Sequence, residues 1–199
     1  MKFSSALFLA LAVPVGLSAQ AGGGAPPVNP ILATFRARIV PLHRNLAQAF
    51  DSIPADKFSY KPTPAQLTIG YVAQHVTNDN YFFCNAFGDM KGTRADEDTS
   101  TPDSVKATWP KDKLVAKLKE SFTFCETALG QLDDAKLATQ ISVTAGGQTR
   151  QVTLAARVLG HAMDLADHYS QIANYMRLNG MLPPTALPRP GRGGGSGSN

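Results

Sequence analysis

The sequence predicts an all-α fold, a four-helix bundle with a short extended hairpin before the last helix. Four long stretches repeat apolar residues every three or four positions, which is the spacing of one face of an α-helix. A single long link, residues 88–110, joins the second and third stretches. Helical bundles with a crossover connection have this pattern of two shorter links and one long one.

Both ends of the chain are predicted to lie outside this domain. Residues 1–19 have the layout of a secretory signal peptide, with an early lysine, a short apolar run and small residues before the cleavage point. Residues 20–28 are predicted to be a flexible leader, and residues 185–199 a disordered Gly/Ser-rich tail. The remaining residues, 29–184, are predicted to form one domain. We expect a secreted or periplasmic protein without membrane insertion, because the apolar run is too short to span a bilayer.

The first two helices are separated by a proline-containing break. The first helix is predicted over residues 30–53, and Pro54 ends it. The second is predicted to begin between residues 63 and 68 and to reach about Gly88. Residues 63–66, Thr-Pro-Ala-Gln, fit a capping box with proline in the first turn.

The second half of the chain is predicted to contain a helix, a hairpin and a final helix. The third helix begins near Pro110, and its apolar residues from Val115 to Leu132 alternate in steps of three and four. Residues 141–152 alternate around the Gly146-Gly147 pair, which predicts a short hairpin or an extended crossover. The last helix is predicted from about residue 153 to 179.

The charge pattern excludes two classes of partner. The formal net charge is +4, and two of the basic residues, Arg189 and Arg192, fall in the predicted tail. No basic helix or basic-aromatic surface stands out. We therefore expect no nucleic-acid partner and no membrane surface, but a small-molecule substrate of unknown identity, and we leave a homodimer open.

Polar residues occupy helix faces that should be buried. His161 and His168 lie about 20° apart around the last helix, and Asp164 stands between them, four residues before His168. On the second helix, His75 lies beside the apolar face and Asp79 lies near its centre. Burying these groups is unfavourable unless they pair or share a cation. Metal binding and hydrogen-bonded core histidines are both open from spacing alone.

The fourth histidine, His43, gives a different pattern. It stands beside Pro41 and Arg44 on the first helix. No partner lies one turn before or after it. We therefore predict that His43 is solvated.

Cys84 and Cys125 are predicted to form a disulfide. The signal peptide places the chain in an oxidising compartment, where a small, even number of cysteines tends to pair. Both cysteines lie on or near the apolar faces of their helices, and adjacent helices are close enough to be bridged. The alternative is two buried free thiols, which behave as small apolar groups.

Two segments together resemble the DinB-like, or YfiT-like, superfamily of metal-dependent proteins. They are TIGYVAQHVTNDNYFFC on the second helix and HAMDLADHYSQIANYMRLNGMLPP on the last, and the upstream IPADKFSYKPTPAQLTIG fits the same pattern. The resemblance covers nearly all of the domain. It implies an up-down-down-up four-helix bundle with a divalent metal, often nickel or zinc, held by a histidine triad. Some relatives are thiol-dependent transferases or isomerases, and many have no known activity.

The resemblance also implies metal ligands. His75 matches the ligand on the second helix and His168 the final ligand, whereas Asp164 stands where the family usually has histidine. The predicted metal ligands are therefore His75, Asp164 and His168, a set that suits zinc or iron. His161 could replace Asp164 if the helix is rotated, and Asp79 is a candidate partner of a ligand or a base. A site that has lost its metal is the remaining alternative.

Three functions follow from this prediction. A metal held by three side chains keeps a position for water, which it could activate for hydrolysis. It could instead bind a small thiol as the thiolate for transfer to an electrophile. The third function is non-catalytic: a secreted bundle that binds a metal or a small apolar ligand, or a structural bundle with a degenerate metal site.

Overall fold

The structure, a computed structural model, describes residues 28–188 and is mostly helical, as predicted. Its long helices are α1 (Pro30–Ser52), α2 (Ile69–Cys84), α5 (Lys111–Gly130) and α6 (Leu154–Leu178). Its short helices are α3 (Asp96–Ser100) and α4 (Asp103–Lys106), and its strands are β1 (Gln140–Ala145) and β2 (Gln148–Thr153). The predicted signal peptide, most of the predicted leader and the tail after residue 188 lie outside the described residues. Within 28–188, no helix has both the length and the apolar character that a membrane crossing needs.

Side-chain caps define where three of the long helices begin. The main-chain N–H groups of Ile31 and Leu32 donate to the Asp134 carboxylate at 3.0 and 2.8 Å, which satisfies two free donors at the start of α1. The Thr68 hydroxyl accepts from the N–H three residues later at 3.1 Å and caps α2. Thr153 does the same for α6 at 3.2 Å.

The start and end of α2 differ from the prediction. The Thr63 hydroxyl donates to the Gln66 side chain at 3.1 Å, and no helix follows it over residues 64–68. The helix begins at Ile69, directly after its cap Thr68, and ends at Cys84 rather than near Gly88. The link that follows is not structureless, because it contains α3 and α4. The buried Lys106 ammonium ties these two helices together by donating to the Asp98 carbonyl at 3.0 Å.

The four long helices share one apolar core. Helix α1 packs against α5 and α6, and α2 packs against the same two helices. Every long helix contributes fully buried side chains: Leu46, Phe50, Val76, Leu118, Leu165 and Ile172. Burying each of these side chains contributes about 1.5–3 kcal/mol. This packing holds α2 and α6 side by side, which is the arrangement that forms the site described below.

The β1–β2 hairpin leads directly into α6 along the chain. Gly146 and Gly147 have φ of +58° and +75°, the left-handed conformation that a tight two-residue turn requires of both central residues. The register pairs Ile141 with Val152 and Val143 with Arg150. Because Thr153 is both the last residue of β2 and the cap of α6, the hairpin is held close to the first turns of that helix.

The predicted disulfide is confirmed. Cys84 at the end of α2 and Cys125 in α5 are bonded, with 5.2 Å between their Cα atoms, and both are buried. The bond closes a loop over a sequence separation of 41. In the chain-entropy treatment such a loop contributes about 4 kcal/mol.

The prediction that His43 is solvated is wrong. Its side chain is 2% exposed and stacks on Phe122 with 4.5 Å between the ring centroids. Its Nδ1 lies 3.1 Å from the Glu126 carboxylate. Both neighbours belong to α5, so a comparison of positions one turn apart on its own helix could not detect them. Burial lowers the pKa of His43, although the hydrogen bond and charge of Glu126 act in the opposite direction.

Candidate metal centre

Three of the polar residues that the sequence places on apolar helix faces converge where α2 faces α6. His75 Nε2 lies 3.1 Å from Asp79 Oδ2, one turn along α2, and His168 Nε2 lies 4.0 Å from the same oxygen. The two imidazole rings meet edge to face, with 4.9 Å between their centroids. One ligand atom from each of the three residues lies within 4.8 Å of the other two. This spacing allows one ion to contact all three side chains.

Asp164 adds a second carboxylate beside His168. Its Oδ1 lies 3.5 Å from His168 Nε2, across one turn of α6. Its Oδ2 is buried and has no hydrogen-bond partner among the described residues. A buried carboxylate oxygen without a donor is unfavourable, and a cation in the cluster would give it a partner.

A chain of hydrogen bonds orients the His168 ring. Nδ1 lies 3.4 Å from the Gln171 side-chain oxygen, and the Gln171 amide nitrogen donates to the Tyr175 hydroxyl at 3.0 Å. An oxygen acceptor at Nδ1 favours the tautomer that carries its proton there. In the neutral ring this tautomer leaves the Nε2 lone pair available to a metal, as in histidines that bind metal through Nε2.

The cluster lies at the edge of the core and is open to solvent on one side. The His75 side chain is 34% exposed, and the Asp79 and Asp164 side chains are 20% and 21% exposed. Tyr71 lies one turn before His75, with 6.0 Å between the ring centroids. A small ligand can therefore reach the cluster without displacing the core.

The charges in the cluster act on one another. The pKa of Asp79 is raised to about 6: burial is the largest cause, the Asp164 charge acts in the same direction, and His75 and His168 oppose it. Burial alone would lower the pKa of His168, but the hydrogen bond and charge of Asp164, together with the Gln171 hydrogen bond and the Asp79 charge, raise it. Shifted pKa values such as those of Asp79 and His168, in neighbouring side chains of two helices, are typical of a functional site.

His161, the alternative third ligand, lies in a different group. It is fully buried, and its Nε2 donates to the Asn80 amide oxygen at 2.9 Å. Burial, followed by the positive charges of His43 and Arg157, lowers the pKa of His161 to about 3. The sulfurs of Cys84 and Cys125 lie near the His161 ring. Because these sulfurs are bonded to each other, they offer no thiolate to a metal.

Comparison with known proteins decides the family. A model of the DinB superfamily matches residues 40–172, which include every residue of the cluster. The chain belongs to the DinB superfamily. No curated protein sequence matches it significantly.

Solved structures support the same fold for this DinB chain. A DinB-like protein from Bacillus cereus aligns with a TM-score of 0.60 at 16% identity, over 76% of this chain and 95% of that one. A DinB-like protein from Bacillus subtilis gives 0.55 at 18%, over 81% and 100%. A conserved protein from Enterococcus faecalis gives 0.56 at 15%, over 73% and 95%. At these identities the likeness concerns the fold.

The residues of this DinB chain fit a divalent metal. Two imidazole nitrogens and two carboxylates form a donor set that zinc, nickel and iron all accept. The unpartnered Asp164 oxygen and the solvent-facing side of His75 fit the same interpretation. Sequence reasoning gave Asp79 only a supporting role. Asp79 lies four residues after His75, near the centre of an apolar face, and this position was the sequence signal that it could itself be a ligand.

Proposed function

We propose that this protein binds a divalent metal through His75, Asp79 and His168, with Asp164 contributing a second carboxylate from α6. The observation that carries the proposal is the convergence of one ligand atom from each of the first three residues within 4.8 Å. Asp164 is included because its Oδ1 approaches His168 Nε2, the nitrogen that faces the other ligands. Zinc or nickel is the expected ion and iron is the next candidate.

The chemistry that we propose for the site is that of a metal-dependent hydrolase or a thiol-dependent transferase acting on a small molecule. The metal, when bound, supplies Lewis-acid activation of a water or a thiol. The side chains of α2 and α6 hold the ion at the protein surface, and the Gln171 contact fixes the His168 ring. The partial exposure of His75 supports access for a substrate.

A non-catalytic metal-binding protein is the second candidate function. Family membership and the side-chain cluster support metal binding without requiring turnover. Metal-loaded protein assayed with a panel of small esters, and with a thiol together with an electrophile, separates the two functions. Turnover that disappears in His168→Ala supports an enzyme. Stoichiometric metal binding without turnover in either panel supports the non-catalytic function.

The remaining parts of the proposal concern location and topology. We propose a secreted or periplasmic protein, on the basis of the predicted signal peptide. The Cys84–Cys125 disulfide supports this location, because such bonds persist in oxidising compartments. We also propose the up-down-down-up four-helix bundle of the family. The packing of α1 on α6 and of α2 on α5, with the long link between the latter two, supports this topology.

A further inference from the structure

A pocket that is separate from the metal centre lies where the hairpin covers α2 and α6. Its volume is about 320 Å³, at the lower end of the range for small-molecule sites. Apolar side chains from α2 and the hairpin line it, together with Arg150 on β2 and Arg157 on α6. None of the described residues that line it is acidic.

Arg157 is buried in an unusual environment for a charged group. Its side chain is 7% exposed, and its guanidinium carbon lies 3.9 and 4.2 Å from the ring centroids of Phe82 and Phe83. One terminal nitrogen donates to the Phe82 carbonyl. Its Nε is buried and has no hydrogen-bond partner within the described chain. Stacking on aromatic rings uses the flat faces of a guanidinium and leaves its N–H groups free to donate hydrogen bonds in the guanidinium plane.

Among residues 28–188, no carboxylate forms an ion pair with Arg157. Burial lowers the pKa of Arg157 to about 10, so the group still carries its charge at neutral pH. The Asp79 carboxylate favours this charge through space, but its close ion-pair contacts are with His75 and His168. Arg150 adds a second positive charge to the same pocket. A buried cation without a paired anion is unfavourable, and an anionic ligand would supply the partner.

We propose that this pocket binds a small organic carboxylate whose aromatic or apolar body packs against Phe82 and the hairpin. A planar carboxylate matches the N–H edge of a guanidinium and forms charge-assisted hydrogen bonds with it. Phe82 is 43% exposed and Val143 on β1 is buried, so the pocket offers an apolar wall beside its charged end. Gly160 lets the Phe83 ring lie close to α6, because a Cβ there would lie 3.1 Å from that ring.

The pocket and the metal centre share helix α6, which contributes Arg157 to one and Asp164 to the other. Arg157 and Asp164 are seven residues apart on α6, which places them on the same stripe of the helix with about 10 Å between them. A ligand held at Arg157 by its carboxylate could extend to the metal along this stripe. That relation rests on the proposed function. The carboxylate site itself does not, because none of its lining residues is a proposed metal ligand.

Isothermal titration of benzoate into the EDTA-treated protein tests the proposal. Benzamide has nearly the same shape without the charge, and it should bind at least about tenfold more weakly than benzoate. Arg157→Gln should weaken benzoate binding by at least about tenfold. Arg150→Gln should weaken it less, because this side chain is exposed. The matched control is Arg177→Gln, an exposed arginine in the last turn of α6, which should bind benzoate normally.

A second variant covers the case in which loss of the buried Arg157 unfolds the protein. Ala156 is exposed and lines the pocket, so Ala156→Trp should fill the pocket, keep the arginine and abolish benzoate binding. The proposal is overturned if benzoate does not bind, if benzamide binds as well as benzoate, or if Ala156→Trp leaves the affinity unchanged. Benzoate binding should persist in His168→Ala, so a failure of the metal proposal would leave this result intact.

Discussion

His75 on α2 and His168 on α6 meet edge to face, with 4.9 Å between their ring centroids. The Asp79 carboxylate lies between them, 3.1 Å from one Nε2 and 4.0 Å from the other. Residues from two helices thus direct ligand atoms to one point at the edge of the core. This arrangement depends on the packing of α2 against α6, and the following predictions test what it does.

The first prediction distinguishes the two carboxylates. Asp79→Asn should weaken metal binding at least about a hundredfold, because it removes a charged ligand atom close to both histidines. Asp164→Asn should weaken it by about tenfold or more, since Asp164 approaches only His168. Asp167→Asn, an exposed neighbour on α6, is the control and should bind normally. Competition titrations with a metal indicator measure all three affinities. A larger loss in Asp164→Asn than in Asp79→Asn would contradict this ranking and favour Asp164 as the main carboxylate ligand.

The second prediction concerns the residue that orients His168. Gln171→Ala removes the acceptor at Nδ1, so the ring loses its fixed tautomer and orientation. Metal affinity should fall by about 10- to 100-fold while the overall fold is retained. Asn174→Ala, an exposed position on the same helix, serves as the control. Equal affinities of the two variants would show that the Gln171 contact does not support the site.

The sequence predicted the elements better than the contacts between them. Apolar spacing located the four long helices, and Gly146-Gly147 located the hairpin turn. The short helices α3 and α4 were missed, since brief helices in a link leave no periodic pattern. The environment of His43 was also missed, because its partners Phe122 and Glu126 lie on another helix.

The candidate site was predictable only in part, because spacing along the sequence describes one helix at a time. Its residues stood out as polar groups on apolar faces, which spacing along one helix can reveal. Which carboxylate approaches both histidines depends on how α2 and α6 are rotated against each other, and one sequence does not contain that information. Arg157 gave no signal, because its burial comes from the phenylalanines of α2 and from the hairpin.

The third prediction concerns acid stability. Burial lowers the pKa of His161 to about 3 from an ordinary value of 6.5, so the unfolded chain binds a proton there that the folded protein does not. The stabilisation is complete above pH 6.5 and is lost as the pH falls from 6.5 towards 3. Between pH 7 and pH 4 this one residue should lower the free energy of unfolding by roughly 3 kcal/mol at most. Urea titrations of the wild type and His161→Gln should show a smaller loss in the variant. Parallel pH profiles would contradict the assignment.

The fourth prediction concerns the disulfide. Denatured, unreduced protein should contain no titratable thiol, because the two cysteines of the chain are bonded to each other. Reduction should lower the free energy of unfolding by up to about 4 kcal/mol, which urea titrations with and without reductant measure. The Cys84→Ala/Cys125→Ala variant should show little change on reduction. Two titratable thiols in the unreduced protein would contradict the structure.

Elemental analysis tests the central claim most directly. The protein, purified without chelator or affinity metal, should contain about one divalent ion per chain, with zinc or nickel as the expected element. His75→Ala and His168→Ala, purified in parallel, should contain almost none, whereas Asp167→Asn should match the wild type. Wild-type protein that carries no metal and binds neither zinc nor nickel in titration would contradict the account. So would full metal content in both histidine variants.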